Sequence, residues 1–589
     1  MNENLNSIRT LMLQKGLAAV IVPSTDPHNS EYVAPHWQAR QWLSEFSGSA
    51  GTLAITLNKA GLWTDSRYFL QAKEQLQMDI RLFKDGLEDT PNIVDWLCSE
   101  LTQDDIVSVN ATLFSINEIE KIEKQLNEKG IKLNTQEDLI APIWQNRPKL
   151  PQGKVLDFTF SGLSAGDKIE NLRKEMSDLQ IDTLVLSALD QIAWLMNIRG
   201  NDVEYNPVVI SYAMINKSDV YLFADENKFD NELKTSLHKK RVTLLPYGSI
   251  FENMKNMKEC VVGLDFNAVN YAIFNSVSKS CTIKNCISPI IRAKSIKNKI
   301  EISGFRKAMV NDGVALVKFF RWLEKSVPNG EVTELKTSEM LHRFRSEQKG
   351  FVSESFETIA AYAQHGAIVH YEPTKESDVK LQPKGLFLLD SGGQYLDGTT
   401  DITRTVALGR VSRQEKTDFA NVLKGHIALS RATFPCGTRG TQLDVLARQF
   451  LWQNLQNFGH GTGHGVGHFL CVHEGPQSIR MNENPTPLLP GMVISNEPGI
   501  YRAGKWGIRC ENLILVNEVK RIKNNSFGTF YNFETLTLFP FDKKLIANKL
   551  FTKEEKKWLN NYHSTVYKRL SPFLNKAEKN WLKSKCRQL

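Results

Sequence analysis

Residues 458–476 read FGHGTGHGVGHFLCVHEGP, a stretch that holds four histidines and six glycines. His460, His464 and His468 follow one another at intervals of four residues, the spacing of zinc ligands on one face of a helix. The glycines exclude that helix, because they fill every second position from 459 to 467 and each costs about 1 kcal/mol relative to alanine. In an extended chain the three side chains would lie about 13 Å apart, at ~3.3 Å per residue. One metal centre can therefore bind only one of them, and the other ligands must come from elsewhere.

Four carboxylates elsewhere in the chain are the candidate ligands. Asp390 ends the apolar run GLFLLD before the predicted turn SGG, and Asp401 opens the predicted strand DITRTVAL, so a hairpin could bring the two face to face. Glu497 follows the apolar run MVIS, and Glu511 lies in GIRCENLILV, which predicts a strand. One such residue alone is more often a turn residue or a solvent-facing residue. Four carboxylates at apolar strands are costly to bury without positive charge.

Two divalent ions would match this set of ligands. The carboxylates supply −4, the ions supply +4, and one imidazole adds a neutral ligand. Oxygen-rich ligation with a single nitrogen suits manganese, cobalt or zinc better than copper. Two ions roughly 3.5–4 Å apart can share a water molecule, lower its pKa and hold it as hydroxide. The residues thus predict a dinuclear metal centre that activates water.

The length of the chain and two proline-marked breaks predict several domains. A chain of 589 residues is too long for one core. The breaks are APIWQNRPKLPQGK at 141–154 and CISPIIRAKS near 290, which indicate domains at 1–150, 151–290 and 291–540, with a basic helical extension at 541–589. LMLQKGLAAVIVPSTD and MSDLQIDTLVLSALD each predict a helix, a turn and an apolar strand. This repeat favours two related α/β domains before residue 290, and chance similarity between α/β units is the alternative.

Helix signals are clear after residue 290. IEISGFRKAMVNDGVALVKFFRWLEKS (300–326) has apolar residues near the helical period, and SRQE (412–415) is a plausible capping box. A further helix is predicted over 441–456, with Leu455 on its apolar face and Gly459 as its stop.

Composition excludes several classes of protein. The net charge of +8 does not form a basic stripe with interleaved aromatic residues, so nucleic-acid binding is not expected. No apolar run approaches the ~18 residues of a membrane span, and the N-terminal sequence lacks the pattern of a secretory signal. The eight cysteines lie far apart without a CxxC pair, which predicts reduced thiols and a cytoplasmic protein.

Taken together, LLDSGGQYLDGTTDITRT, GTGHGVGHFLCVHEGP, SNEPGIY and GIRCENL resemble the pita-bread metallopeptidases. Within that family the chain is similar to the three-domain Xaa-Pro aminopeptidases, also called aminopeptidase P. EYVAP, FSGSAGT and WTDSRYFLQA match the first domain, AWLMNIRGND the second, and ETLTLFPFDKKL with WLNNYH the C-terminal extension. The resemblance implies an α/β (α+β) fold, with two N-terminal creatinase-like α/β domains followed by a C-terminal pita-bread catalytic domain. It also implies a homodimer.

The activity implied is hydrolysis of the bond between an N-terminal residue and a following proline, by a hydroxide that bridges two divalent ions. In this family the ions are usually Mn²⁺, with Co²⁺ or Zn²⁺ as alternatives. The substrates would be peptides with proline at position two. The resemblance assigns the metal ligands to five residues: Asp390, Asp401, His464, Glu497 and Glu511.

The resemblance also assigns residues to the substrate. His370 in IVHYEP and His473 in CVHEGP would contact it near the scissile bond and the proline ring, next to the metal ligand His464. His460 would lie beside the metal centre and assist proton movement. Arg67 would reach in from the first domain of a partner subunit to define the substrate-binding end.

Three residues need separate interpretation. Arg509 lies two residues before Glu511 and, on a continuous strand, would share its face and orient it. His468 is not part of the family pattern, so a surface or core position is expected. Ser66 stands in TDSRY where the family more often has glycine, a mild change that leaves Arg67 credible.

Two other activities are possible on this scaffold. A prolidase cuts dipeptides only, but the extra N-terminal domain and the C-terminal extension argue against it. Creatinase works without metal, whereas all five ligand positions are occupied here. A non-catalytic peptide-binding protein of the pita-bread fold would have lost the ligands.

Overall fold

The computed structural model describes residues 3–136, 138–520 and 526–589. These residues separate into two compact units. The first extends to Thr159 and continues over Leu163–Ile291, and the second holds Phe160–Gly162 and Arg292–Leu589.

The described elements up to residue 295 are helices interspersed with single strands and short runs of strands, as expected for α/β domains. The strands are β1 Ala19–Val22, β2 Thr52–Thr56, β3 Ala60–Thr64, β4 Arg81–Lys84, β5 Ile106–Val109, β6 Lys132–Asn134, β7 Leu156–Asp157, β8 Thr183–Leu186, β9 Ile198–Arg199, β10 Tyr212–Asn216, β11 Val220–Phe223, β12 Val242–Leu245, β13 Val261–Leu264 and β14 Thr282–Asn285. The helices are α1 Glu3–Gln14, α2 Ala39–Ser44, α3 Phe69–Gln75, α4 Ile93–Glu100, α5 Ile116–Asn127, α6 Ala165–Asp178, α7 Leu189–Met196, α8 Asn231–Lys239, α9 Ile250–Lys255, α10 Tyr271–Ser276 and α11 Pro289–Ser295.

Two sheets dominate the described part of the first unit, and each has six strands. Their orders are β4-β3-β2-β1-β5-β6 and β12-β11-β10-β8-β13-β14. The central strand of each, β1 or β8, pairs antiparallel with one neighbour and parallel with the other. Both strands are buried along their whole length, which explains their apolar sequences AVIV and TLVL. The shared order and pairing confirm the repeat predicted from the sequence.

The described elements after residue 295 form the second unit. The strands are β15 Phe351–Glu354, β16 Ile359–Tyr362, β17 Leu386–Ser391, β18 Gly393–Tyr395, β19 Gly398–Thr399, β20 Ile402–Ala407, β21 Thr433–Pro435, β22 Gly463–Gly465, β23 Glu474–Ile479, β24 Val493–Asn496, β25 Gly499–Arg502, β26 Trp506–Arg509, β27 Asn512–Glu518 and β28 Phe530–Thr535. The helices are α12 Lys299–Ser326, α13 Glu334–Ser346, α14 Arg413–Ser430, α15 Gly440–Trp452, α16 Lys553–Leu570 and α17 Lys576–Lys585.

Sheets and helices of the second unit enclose one large apolar core. The largest sheet has the order β21-β28-β27-β24-β22-β23, and β16-β17-β20 form a smaller one. The long helix α12 and the C-terminal helices α16 and α17 bury apolar side chains in the same core. The predicted helical extension is therefore an integral part of this unit.

The helix predictions after residue 290 are confirmed except at one end. α12 covers the predicted segment, and the Ser412–Glu415 capping box is formed at the start of α14. The predicted stop at Gly459 is wrong, because α15 already ends at Trp452. Leu455 takes the left-handed conformation that usually requires glycine, with φ of 55°, and the next amide bonds back to Leu451. Leu455 is thus 98% exposed and does not lie on the buried face.

Within the described residues, no helix is both long and apolar enough to cross a membrane.

Candidate metal centre

Strands β17 and β20 bring the two predicted aspartates to one end of an antiparallel pair. Asp390 lies opposite Thr403 and Ser391 lies opposite Ile402, so Asp401 comes next at the same end. The predicted hairpin is present, but its aspartates are diagonal to each other and not face to face. The predicted turn at SGG is wrong, because Ser391 ends β17 and Gly393 already begins β18.

The glycine-rich stretch forms β22, with His464 at its centre. A Cβ atom on Gly463 would lie 1.9 Å from the Ser495 carbonyl oxygen, and one on Gly465 would lie 2.2 Å from that of Glu474. The alternating glycines therefore let the neighbouring strands approach the backbone on both sides of His464. The Ser495 hydroxyl accepts a hydrogen bond from the His464 amide at 3.0 Å and donates to Glu497 Oε1 at 3.1 Å.

Glu511 lies in a break between β26 and β27, and the predicted continuous strand is wrong here. Cys510 and Glu511 connect a two-stranded hairpin to the large sheet, and the Glu511 amide bonds to the Thr403 carbonyl at 3.2 Å. The Thr403 hydroxyl donates to Glu511 Oε2 at 2.6 Å. The pairing with β20, and not a strand face, thus sets the direction of this carboxylate.

The ligand atoms of Asp401, His464 and Glu511 all lie within 4.8 Å of one another. His464 Nε2 is 3.5 Å from Asp401 Oδ2 and 3.4 Å from Glu497 Oε1. Asp390 joins the same group electrostatically, since its charge raises the pKa of both Glu497 and Glu511. The structure therefore brings together all five residues predicted as metal ligands.

The negative charge of the ligand residues exceeds the positive charge of the side chains around them. Burial and the charges of Asp401 and Asp390 hold the pKa of Glu511 well above its usual range. Burial also raises the pKa of Asp390, although Arg509 opposes the shift, and burial raises that of Glu497. Burial opposes protonation of His464, but Asp401 and Glu497 raise its pKa to about 9.

These observations fit a pair of divalent cations. Asp390 Oδ1 is buried and accepts no hydrogen bond from the described part of the chain, so an acceptor is left for a metal ion. Four carboxylates and one imidazole are the donors that manganese, cobalt and zinc accept.

Tyr501 is a site residue that sequence reasoning missed. Its hydroxyl lies 2.7 Å from His460 Nε2 and accepts a hydrogen bond from Arg509 Nη1 at 2.7 Å. His460 Nδ1 lies 2.7 Å from the Gly461 carbonyl, so Nδ1 carries the proton and Nε2 accepts from the tyrosine. Burial raises the pKa of Tyr501 to about 12, which keeps it protonated. Local sequence gives no signal for Tyr501, because the β25–β26 hairpin places it opposite Gly507 and diagonal to Arg509.

Arg509 connects this tyrosine to the carboxylates. Its guanidinium donates to Asp390 Oδ2 at 2.5 and 3.1 Å and to the Thr403 hydroxyl at 3.1 Å. Because Thr403 in turn bonds Glu511, Arg509 orients Asp390 directly and Glu511 through one hydroxyl. The expected positioning of Glu511 by Arg509 thus runs through Thr403.

His460 and His473 both lie against the ligand group. His460 Nδ1 is 3.9 Å from Glu497 Oε2. The rings of His464 and His473 meet edge to face, with centroids 4.4 Å apart.

His370 lies in the loop after β16, and its neighbours are held firmly. Tyr371 donates to the buried Glu334 at 2.8 Å, and His365 Nδ1 lies 3.0 Å from both Glu334 oxygens. A Cβ atom on Gly507 would lie 1.6 Å from the Gly366 carbonyl oxygen, so this loop packs on the β25–β26 hairpin. The loop of His370 and the hairpin of Tyr501 are thus in direct contact.

Two other predicted residues lie outside the ligand group. Arg67 belongs to the first unit, where it pairs with both oxygens of Asp65 at 2.8 and 2.7 Å. His468 is 2% exposed and packs with its ring 5.5 Å from that of Phe305, so it is a core histidine.

Comparison with known proteins places this geometry in a family. The sequence model of metallopeptidase family M24 matches residues 303–518, and that of the C-terminal region of peptidase M24 matches 529–589. Models of the creatinase/prolidase N-terminal domain match 4–143 and 146–301. A probable Xaa-Pro aminopeptidase P of Laccaria bicolor is 42% identical over 100% of this chain and 93% of its own. Xaa-Pro aminopeptidase 1 of Dictyostelium discoideum is 38% identical, over 100% and 96%.

Solved structures agree with the sequence matches. The X-prolyl aminopeptidase of Caenorhabditis elegans, described as a cytosolic enzyme with a dinuclear active site, has a TM-score of 0.95 and 36% identity. The match covers 100% of this chain and 99% of that one. An Xaa-Pro dipeptidase of Bacillus anthracis, with a TM-score of 0.52 and 23% identity, covers 64% of this chain and 99% of its own, and it supports the fold alone. The predicted pita-bread fold with two creatinase-like N-terminal domains is therefore confirmed, and the chain belongs to the Xaa-Pro aminopeptidase P group of metallopeptidase family M24.

Proposed function

We propose that this chain is a metal-dependent aminopeptidase that releases the N-terminal residue from peptides with proline at position two. The observation that carries the proposal is the buried group of carboxylates around His464, in which three ligand atoms lie within 4.8 Å of one another. Relatives with this activity in their names align over the whole chain, which supports the same chemistry here.

Five residues would hold two divalent ions, and manganese is the proposed metal. The ligands are Asp390, Asp401, His464, Glu497 and Glu511. The chemistry that two such ions supply when bound is activation of a water molecule and polarisation of the peptide carbonyl.

The neighbouring residues position the ligands and handle protons. Arg509 fixes Asp390, and Thr403 fixes Glu511, so the direction of both carboxylates is set before any ion binds. His460 Nε2 accepts a hydrogen bond from the Tyr501 hydroxyl, which Arg509 holds at 2.7 Å, and this contact orients the imidazole for its proposed part in proton movement.

Histidines on two sides of the ligand group would contact the substrate. His473 stands edge-on to His464, where it can donate a hydrogen bond to a peptide oxygen next to the metal centre. His370 is carried by a loop that Glu334 and the β25–β26 hairpin hold in place, which suits a residue that must meet the scissile bond at a fixed position. Arg67 is proposed to define the substrate-binding end in a homodimer.

The proposal also covers the cellular location of the chain and the limits of its domains. The C. elegans relative is described as cytosolic, which supports a cytoplasmic location for this chain. The proposed domains are 1–150, 151–290, 291–540 and the helical extension 541–589. The family matches at 4–143, 146–301, 303–518 and 529–589 support the first two limits, and the last match begins before residue 541.

The test is hydrolysis of an Arg-Pro-Pro peptide by the manganese-loaded protein, with and without a chelator. We expect release of free arginine that stops when the chelator is added and resumes with excess Mn²⁺. The matched peptide Arg-Ala-Pro should stay intact, and an Arg-Pro dipeptide distinguishes an aminopeptidase from a prolidase. Cleavage of the dipeptide alone, or no cleavage of any peptide by the loaded protein, would contradict the proposal.

A further inference from the structure

Two cysteines far from each other in sequence face each other in the first unit. Cys260 directly precedes β13 and Cys281 directly precedes β14, and these strands are parallel with Val261 opposite Thr282. The Thr282 amide donates to the Cys260 carbonyl at 3.0 Å, so the hydrogen-bonded ladder reaches the cysteines. Their sulfur atoms are 3.5 Å apart, and both side chains are half-buried, within reach of small solutes.

This arrangement satisfies the backbone requirement of a disulfide. Neighbouring strands lie ~4.8 Å apart, inside the ~4.4–6.8 Å that separates the Cα atoms of bonded cysteines. The sulfurs need to move only about 1.5 Å closer to reach the ~2.05 Å of an S–S bond. The strands β13 and β14 are already paired side by side, with β14 at the edge of the sheet. The bond can therefore form without a rearrangement of the sheet.

We infer that Cys260 and Cys281 are a dithiol modification site, which small disulfides such as oxidised glutathione convert reversibly into an intramolecular disulfide. The thiolate of one cysteine attacks one sulfur of the small disulfide, forms a mixed disulfide and releases one thiolate. The other cysteine then loses its proton and attacks the protein sulfur of the mixed disulfide, which breaks that bond and releases the second thiolate. The two protein thiols are oxidised, the small disulfide is reduced to two thiols, and the two protein protons end on them.

Burial and the neighbouring Cys281 thiol raise the pKa of Cys260 to about 11. Either sulfur can be the one that reacts first, because both side chains are half-buried.

The bond would close a segment that joins the two sheets of the first unit. Between the cysteines, the Tyr271 amide donates to Phe114 at 2.9 Å, and Val269 accepts from Ile116 at 3.2 Å. Asn270 Nδ2 also donates to the Pro27 carbonyl at 2.8 Å. Tying the ends of the segment together reduces its conformational freedom, so oxidation should slow local opening of these contacts.

Mass spectrometry of the full-length protein tests the site directly. Cleavage after Lys258, Lys279 and Lys284 places Cys260 in peptide 259–279 and Cys281 in peptide 280–284. After exposure to oxidised glutathione and alkylation, we expect these two peptides to be joined and to separate on reduction. Hydrogen exchange over 265–277 should be slower in the oxidised protein than in the reduced one.

Single variants test the second step. Cys260→Ser and Cys281→Ser should each stop at the mixed disulfide and keep glutathione on the remaining cysteine, because the second sulfur is missing. Cys98→Ser is the matched control and should form the link as the unchanged protein does, since Cys98 is half-buried elsewhere in the first unit.

The exposed Cys436 reports that the oxidant is active. The inference is overturned if Cys260 and Cys281 are both recovered alkylated when Cys436 already carries glutathione, or if either is joined to a different cysteine. If hydrogen exchange over 265–277 is unchanged in the disulfide-bonded protein, the bond does not restrain the segment.

Discussion

One buried aspartate and one buried group of four carboxylates in the second unit are balanced in opposite ways. Asp418 on α14 is fully buried, and Arg502 binds both of its oxygens at 2.6 and 2.8 Å, while Trp506 donates a further hydrogen bond at 3.1 Å. Around His464, by contrast, the guanidinium of Arg509 binds one of four carboxylates, that of Asp390, and Arg404 donates only to the backbone carbonyl of Glu511 and not to its carboxylate. Both groups lie within the same unit and touch the same β25–β26 hairpin.

The difference shows how a structural charge and a metal-binding charge can be distinguished. A carboxylate whose oxygens are all satisfied by the chain stabilises the fold as an ion pair, and it has no acceptor left for a ligand. A group with raised carboxylate pKa values and an unsatisfied buried oxygen costs folding energy until a cation binds. Exchanging a carboxylate in one site and then in the other should therefore have opposite consequences for activity and stability.

Replacing a metal-binding carboxylate should abolish activity while sparing the fold. For Asp401→Asn we expect kcat/KM on an Xaa-Pro peptide to fall at least about 10³-fold, which corresponds to ~4 kcal/mol. The metal-free variant should unfold at a higher temperature than the metal-free parent, because one repelling charge is removed. Steady-state kinetics and thermal unfolding are the measurements. Full activity in Asp401→Asn, or in His464→Ala, would refute the assignment.

An aspartate-to-asparagine exchange at the ion-paired Asp418 should destabilise the fold and leave metal binding unchanged. Asp418→Asn leaves Arg502 without its ionic partner in a partly buried site, and the free energy of unfolding should fall by about 3 kcal/mol. The number of manganese ions bound, measured by elemental analysis of the folded protein, should not change. A variant that loses metal without losing stability would show that the two groups are not distinct.

Metal binding should stabilise the protein because only the folded chain assembles the ligands. With Mn²⁺ at 100 times its dissociation constant, we expect about 2.7 kcal/mol of added stability and a higher melting temperature. Differential scanning calorimetry with and without chelator measures the shift. Asp401→Asn is the matched control and should respond far less, and an equal response in both would locate the effect outside this site.

Acid should destabilise the second unit through histidines that are buried and neutral. Burial, with the charge of Arg404 nearby, lowers the pKa of His426 and His563 to about 3. The unfolded chain binds these protons below pH ~6.5 and the folded chain does not, so stability present above pH 6.5 is lost as the pH falls toward 3. Between pH 7 and pH 5, each histidine should lower the free energy of unfolding by ~2 kcal/mol.

Urea unfolding of metal-free protein at the two pH values checks this prediction. His563→Gln should flatten the dependence, whereas the exposed control His238→Gln should leave it unchanged. If stability depends on pH equally in the unchanged protein and in both variants, the assignment of this effect to His563 is contradicted.

The smallest effect is expected at the residue that links His460 to Arg509. Tyr501→Phe removes one hydroxyl and leaves the ligands in place, so kcat should fall about 10-fold with little change in bound manganese. A change in KM alone would indicate a role in binding the substrate and not in proton movement.

Residue patterns predicted more of the fold than of the contacts between site residues. Carboxylates at the ends of apolar runs or within them selected four ligand candidates, whereas the choice of His464 among three histidines came from the resemblance to the family. Tyr501 and Thr403 escaped because their roles depend on cross-strand register, which is not visible in local sequence. The break at Cys510 escaped for a related reason, since GIRCENLILV has the composition of one strand although its two parts pair in different sheets.

One feature of the C-terminal extension bears on the order in which the site matures during synthesis. Arg404, next to Thr403, is fully buried, and its guanidinium donates to the Tyr562 hydroxyl of α16 at 2.9 Å. The same hydroxyl donates to the side chain of Asn512, 50 residues earlier in the chain. A nascent chain that has passed Asn512 therefore holds all five candidate ligands and several acceptors of this arginine, but it still lacks the Tyr562 hydroxyl. Docking of α16 is expected to complete the hydrogen bonds that hold Arg404 beside the candidate ligand Glu511.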